Sequence, residues 1–444
     1  MSMSVSQFLT RLKKWGIKGS LSVLDHGLQS GANFILSVLL ARWLLGSHYG
    51  SYSIAFAVYQ FVYQVHNATI LEPMSVLGPA RMQHRLADYL RDQIRLHFVI
   101  SILAGLVICI IGVVVFVFNQ VLGRVLITMG IALSFILLPL LMRRGFYLFR
   151  RPGLAFLGST IYALFLCGQL WILKISGYIS VDLAFPIIGL AGLVSGLCLV
   201  KQIPPRQAAV IPAGVTWSNN WQYGQWLVYS SLLIALASQV QTLVVGAFLG
   251  LSDAGAFRAL QNFVQPIILS FAALSAYLLP VLSSDFGTGN ISGLKQKGKY
   301  LLVLFLVISV GFELFLLAYA SNLESILYDG RFSPYVYLIP VWGLVPIVAV
   351  STYVYYFLLQ SIQRPRAILL GSVIWSATST ILALAFSLKW GILGATVSVI
   401  AGYLAAGIAF AALYRIYIAE PNDTGVNNVR ILDKKNSTEH FPLE

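Results

Sequence analysis

Apolar residues fall along the chain in blocks of about twenty, broken by Gly, Pro and clusters of charge. A helix rises about 1.5 Å per residue, so each block is long enough to cross roughly 30 Å of hydrocarbon. Twelve spans are expected, at 21–45, 49–71, 97–118, 121–142, 154–174, 183–200, 222–249, 255–283, 300–320, 336–360, 367–388 and 391–414. None shows the strict alternation of a lipid-facing barrel strand. The pattern therefore predicts an all-α polytopic membrane protein.

Composition agrees with this. Of 444 residues, 58% are hydrophobic and 10% charged, whereas soluble domains are about 25% charged. A water-soluble enzyme is excluded, because too few polar residues remain to cover its surface. The net charge of +14 would suggest nucleic acid if read alone. Its distribution gives another reason. With the N-terminus cytoplasmic, 23 of the 29 Lys and Arg residues lie on the inside. Arg124, Lys174, Arg331 and Lys389 are left outside, and Arg42 and Arg258 lie within spans. This is the positive-inside bias. It predicts both termini in the cytoplasm and no nucleic-acid partner. Cys109, Cys167 and Cys198 sit in apolar runs without zinc or redox spacing, and packing is the expected role.

Residues 1–20 form a separate element in this reading. Val5, Phe8, Leu9, Leu12 and Trp15 recur at helical spacing opposite Arg11, Lys14 and Lys18, as in an interfacial amphipathic helix. A cleaved signal peptide fits less well, because the following apolar run is too long and carries Asp25, Asn33 and Arg42. The organisation expected is an N-lobe at 21–200, a cytoplasmic linker at 201–221, a C-lobe at 222–414 and a disordered tail at 415–444.

The two halves resemble each other. RPGLAFLGSTIY from Arg151 and RPRAILLGSVIW from Arg364 agree at seven of twelve positions, counting the final aromatics together, at an offset of 213. LLGSHYGSY between spans 1 and 2 pairs with FLGLSDAGAF between spans 7 and 8. Pro73 and Pro280 lie at the cytoplasmic ends of spans 2 and 8. Six spans per half give parallel repeats, an arrangement found in transporters that rock two bundles around a central site.

Polar residues at mid-depth are costly and face a bundle interior or a wet cavity. Span 1 carries Ser22, Asp25, Gln29 and Asn33; span 2 carries Gln60, Gln64, His66 and Asn67; span 8 carries Arg258, Gln261, Asn262 and Gln265. Spans 7 and 10 add Ser238, Gln239, Gln241, Thr242, Tyr353, Tyr356 and Gln360. Taken singly these residues suit interhelical hydrogen bonds; as a set they predict a cavity for hydroxyl-rich cargo. Arg258 can hold a phosphate in bidentate fashion. Arg42 either shares that role or snorkels to the outer interface. Asp25 is the candidate for proton or sodium coupling, with helix capping or pairing to a nearby cation as alternatives. Glu72 and Glu313 are weaker candidates. No cofactor or metal site is expected.

The sequence resembles the polysaccharide flippases of the multidrug/oligosaccharidyl-lipid/polysaccharide exporter superfamily. The resemblance rests on DHGLQSGANFILSVLLARWLLGSHYGSYSIAFAVY, on VGAFLGLSDAGAFRALQNFVQPI and on LLPVLSS. It implies a MATE-like, V-shaped pair of six-helix lobes in a bacterial inner membrane. It also implies export of an undecaprenyl-diphosphate-linked glycan unit for exopolysaccharide, capsule or O-antigen, with glycan polymerase and chain-length machinery as partners. By resemblance Arg258 meets the diphosphate, Arg42 follows it, and Asp25 matches the span-1 acid of drug-expelling relatives. The runner-up function is an ion-coupled multidrug exporter on the same scaffold. A membrane glycan polymerase or ligase is a third reading, weakened because the longest outer loop, at about 321–335, holds only Glu324, Asp329 and Arg331. No Walker motif, HExxH or supported GxSxG supplies enzyme chemistry.

Overall fold

The computed structural model describes residues 5–82, 85–206 and 212–419. The described residues are helical almost throughout and contain no strand. The helices are α1 (Val5–Trp43), α2 (Gly46–His66), α3 (Glu72–Arg81), α4 (Leu86–Phe118), α5 (Gln120–Leu148), α6 (Pro152–Ser176), α7 (Ala184–Val200), α8 (Ala213–Phe248), α9 (Leu251–Gly287), α10 (Ile291–Tyr328), α11 (Leu338–Ser361) and α12 (Pro365–Ala419). A π segment, Asn67–Leu71, joins α2 to α3 into one rod. α12 folds back at Gly391, whose φ of 60° and ψ of −137° suit only glycine. Its arms then pack antiparallel, with Gly402 against Ser379 and Gly371 against Phe410. Counting both arms, all twelve expected spans have a helix. The end at which α1 begins is called the near end below, and the end at which it finishes the far end.

Among the described residues, eight stretches qualify by length and apolarity alone to cross a membrane, one of them running through both arms of α12. Among those residues α1 and α2 do not qualify, and both bear polar stripes. The most apolar helices, α4 and α10, are the least buried. Lipid, rather than a protein core, is the environment their side chains match. This multi-pass membrane protein has two bundles, α1–α7 and α8–α12. α5 lies deepest in the first, and most of its middle stretch is buried.

Backbone geometry repeats between the bundles. Arg150 and Gln363, each two residues before the proline that opens α6 or α12, have φ of 56° and 57°. The amide of Arg151 bonds the Phe146 carbonyl at 3.0 Å, and that of Arg364 bonds the Leu359 carbonyl at 3.2 Å. Both are left-handed helix ends of the Schellman type, and they fall at the sequence offset of 213. The far-end turns also meet each other. A Cβ built on Gly50 would lie 1.6 Å from the Leu251 carbonyl oxygen, and one on Gly255 would lie 2.6 Å from that of Gly46. Such reciprocal contact is what a twofold relation between halves produces.

Five expectations are corrected. α1 is unbroken from Val5, so no boundary at residue 20 marks off an interfacial helix; the side chains of residues 1–20 lie outside the description. α8 starts at Ala213, inside the expected linker, and α12 continues to Ala419, inside the expected tail; residues 420–444 are not described. The outer loop is shorter than expected because α10 runs to Tyr328, and Glu324 accepts a 2.8 Å hydrogen bond from the Phe332 amide. Cys167 and Cys198 are exposed and Cys109 only partly buried. An apolar neighbourhood in sequence marked lipid-facing surface here rather than a packed interior.

Substituting Gly50 by Ala forces two backbones apart, and overpacking of this kind costs about 1–3 kcal/mol. Gly27 has nothing within 4 Å of a built Cβ. Thermal unfolding of purified protein is expected to show a lowered midpoint for Gly50→Ala and an unchanged or raised one for Gly27→Ala.

Candidate functional site

The polar stripes of α1, α2 and α9 meet where the bundles touch at the far end. Asn262, 2% exposed on α9, is the hub. Its Nδ2 donates to Ser37 Oγ of α1 at 3.1 Å, and to Tyr49 OH of α2 and Tyr328 OH of α10, both at 3.2 Å. Ser37 Oγ and Tyr49 OH lie 2.9 Å apart, and Tyr328 donates to the Ala259 carbonyl at 3.0 Å. Every member is buried. Separating the bundles here would strip partners from several groups, and each buried group left unsatisfied costs about 1–3 kcal/mol.

One turn toward the far end on α9, Arg258 is 7% exposed. Its guanidinium lies 4.3 Å over the Phe56 ring of α2, and Nη1 donates to Gln261 at 2.8 Å. Nε has no partner, and no carboxylate pairs with the group among the described residues. A buried cation held by one amide and one aromatic face retains the capacity to take an anion.

Asp25 lies elsewhere, at the junction of α1 with α5 and α6. It is fully buried. Arg143 binds it side-on through one edge of the guanidinium, Nε donating to Oδ1 at 2.9 Å and Nη2 to Oδ2 at 2.7 Å. Tyr147 also donates to it, as does Ser159 at 2.5 Å. Pairing with a cation, the alternative reading of Asp25, describes its place in this structure. The expected span 121–142 ends just short of Arg143 and leaves it in the loop that follows, yet it is 5% exposed on α5. The i, i+4 spacing of Arg143 and Tyr147 is the signal that places both on one helical face. On the same lobe Tyr162 donates to Asn33 at 2.6 Å. Arg144 pairs with Glu72 at 2.8 Å and donates to Ser75 at 2.7 Å.

The other predicted residues are spread along the interface. Gln29 is buried on α1; Gln60, Gln64 and Asn67 are half-buried along α2 and its π segment, and Gln261 and Gln265 along α9. Tyr353 and Tyr356 are half-buried and Gln360 exposed. His66 bonds His97 of α4 at 2.9 Å, away from solvent. Glu313 is buried beside Gly343, and its Oε2 has no partner. Arg42 projects to the far-end surface, where it donates to the Ile326 carbonyl at 3.0 Å and faces Asp329 at 3.7 Å. It therefore does not share a contact with Arg258.

A second joint was not anticipated. Asn220 of α8 exchanges amide hydrogen bonds with Gln93 of α4 and donates to the Thr69 carbonyl at 3.0 Å. That carbonyl belongs to the π segment, where the wider turn leaves groups free to bond outside the helix. The bundles are thus tied at the far end and along α2–α8. On the near half of α1, Gly27 and Gly31 face free space and Leu24 and His26 are exposed. Pro266 and Leu269 are exposed on α9.

No protein-family profile and no curated protein sequence matches the chain. Solved structures do. An inward-facing multidrug resistance MATE family transporter of the MOP superfamily matches with a TM-score of 0.77 at 12% identity, covering 90% of this chain and 98% of the other. An outward-facing MATE transporter matches at 0.64, also 12% identical, over 90% and 94%. A MOP superfamily transporter from Pyrococcus furiosus, described as having a binding pocket of reversed polarity, matches at 0.65 and 12% over 90% and 94%.

Removing one partner of the Asp25–Arg143 pair strands a buried charge at a cost of about 3–5 kcal/mol. Arg143→Met is expected to lower the yield and thermal midpoint sharply, and Arg143→Met with Asp25→Leu to recover most of the loss. Both are read by unfolding of the purified variants. The chain has the fold of the MATE transporters of the MOP superfamily.

Proposed function

We propose that this chain is a transporter that moves a polyprenyl-diphosphate-linked oligosaccharide across the membrane by alternating access, without making or breaking covalent bonds. The observation carrying this reading is which buried charges are paired and which one is not. Arg258 is buried at their contact without a carboxylate, whereas Asp25 and Glu72 are each held by an arginine. A cationic drug would require a free acid there; a diphosphate would require a free cation. Desolvating an ion costs several kcal/mol, and a guanidinium already in place lowers that barrier. Half-buried amides and tyrosines along α2, α9 and α11 supply donors and acceptors for sugar hydroxyls, while the polyprenyl tail stays in lipid.

In this reading the bundles part at the Asn262 hub while hinging along α2–α8, and cargo crosses between the stripes of α1 and α9. Membrane voltage is worth about 2.3 kcal/mol per charge per 100 mV, enough to bias such a cycle. Asp25 takes part in ion coupling only if Arg143 releases it during that cycle.

Deleting the gene is expected to accumulate lipid-linked units on the cytoplasmic leaflet. Restoring it as Arg258→Ala is expected to cut export at least about tenfold, equivalent to about 1.4 kcal/mol, at unchanged protein abundance, with Arg258→Lys retaining part. Full export by Arg258→Ala, or resistance to cationic dyes lost on deletion while surface glycan stays normal, would contradict the reading.

A further inference from the structure

A second cationic site lies at the far-end surface and takes no part in the proposed crossing. A groove of about 640 Å³ runs between α1, α6 and the turn after α10. Arg42, Lys174 and Arg331 stand at its upper rim with Asp329 as their single carboxylate. Trp43 stands level with Arg42, and below them lie Leu39 and Ile35 of α1 and Trp171, Leu170 and Cys167 of α6. From Arg42 to Ile35, and from Lys174 to Cys167, is two helical turns, about 10 Å of depth. The groove is therefore charged at the top and apolar beneath, with a tryptophan from each wall at the boundary, which is the level Trp occupies in membranes.

The polar contacts of the rim are incomplete. Arg42 reaches Asp329 only at 3.7 Å, with both side chains substantially exposed. Lys174 has no acid partner among the described residues; its Nζ lies 5.3 Å from the centroid of the Trp43 ring. Arg331 donates to the Leu44 carbonyl. Trp171 is 68% exposed, and Leu164, Ile172 and Ile175 continue an apolar surface along α6. That surface opens the groove to lipid rather than to water alone.

We propose that this groove binds an anionic phospholipid of the leaflet at the far end, its phosphate among Lys174, Arg42 and Arg331 and one acyl chain along Trp171 and Ile35. The far-end leaflet is the outer one in the orientation that the basic residues predict. The excess of two positive charges favours a lipid with net negative charge over a zwitterionic one. The apolar floor favours lipid over a soluble anion. The rim draws its cations from both bundles, because Arg331 follows α10 while Arg42 and Lys174 belong to α1 and α6. The site therefore exists while the far ends are together, a state in which cargo has no route out, and resident phospholipid is the occupant.

The test uses the full-length protein, delipidated in detergent and titrated with phosphatidylglycerol or phosphatidylcholine, with bound lipid counted by native mass spectrometry. One phosphatidylglycerol is expected to be retained in preference to phosphatidylcholine, and Lys174→Gln is expected to weaken it about fivefold, the effect of one basic residue near a charged lipid surface. Among the described residues Lys174 makes no ion pair across to the opposite bundle, so its loss leaves the Asn262 joint intact. Arg331→Gln is expected to weaken binding as well, and Trp171→Ala to weaken both lipids alike. Equal retention of the two lipids, unchanged binding in Lys174→Gln, or displacement of phosphatidylglycerol by millimolar inorganic phosphate would each overturn the proposal.

Discussion

The arrangement depends on a single amide buried in a hydrocarbon-embedded joint. Asn262 donates to groups from three other helices, two of them in the opposite bundle. In a membrane the hydrophobic effect does not hold helices together, so close packing and hydrogen bonds must. The glycines at Gly50 and Gly255 bring the backbones near enough for these side chains to meet. A joint held by a few polar contacts is strong while dry and weak once wet, because water replaces each hydrogen bond it breaks. In the proposed cycle this property lets one interface both seal and open.

The charges sort in the same way. Asp25 sits within one bundle, bonded by Arg143, Tyr147 and Ser159, and rigidifies the junction of α1 with α5 and α6. Arg258 sits between bundles with an aromatic face and an amide for company. The acid is paired and the cation is not, and the proposed selectivity for an anionic cargo rests on that contrast. The likeness to MATE transporters supplies the scaffold. The proposed cargo class rests on the polarity of the interlobe charges, read from this chain's own side chains.

Most of the fold was legible because lipid imposes a simple rule on length and apolarity. All twelve spans and the duplication could be read, and the two left-handed turns at Arg150 and Gln363 fall where the Arg-Pro repeats lie. The site was legible only as stripes. Helical spacing placed Asn262 and Arg258 on one face of α9, but it could not show that Tyr49, Ser37 and Tyr328 converge there from other helices. Arg143 was misplaced because an arginine near a helix end looks like a loop residue until its acid partner, 118 positions earlier, is brought beside it. The Asn220–Gln93 joint left no mark in the sequence, since one Asn in a polar helix start and one Gln among charges carry no periodic signal. The cysteines misled for a related reason: apolar context does not tell lipid from core.

The central claim is that the Asn262 hub keeps the far ends together. Ser252 Oγ lies 2.9 Å from a Cβ built on Gly46, the neighbour of Ser47; the claim is tested by replacing Ser47 and Ser252 with cysteine on a background lacking Cys109, Cys167 and Cys198, and measuring cross-linking by a short bifunctional thiol reagent in membranes. Rapid cross-linking is expected with Asn262 present, falling severalfold in Asn262→Leu at equal protein abundance. Undiminished cross-linking in Asn262→Leu would contradict the account.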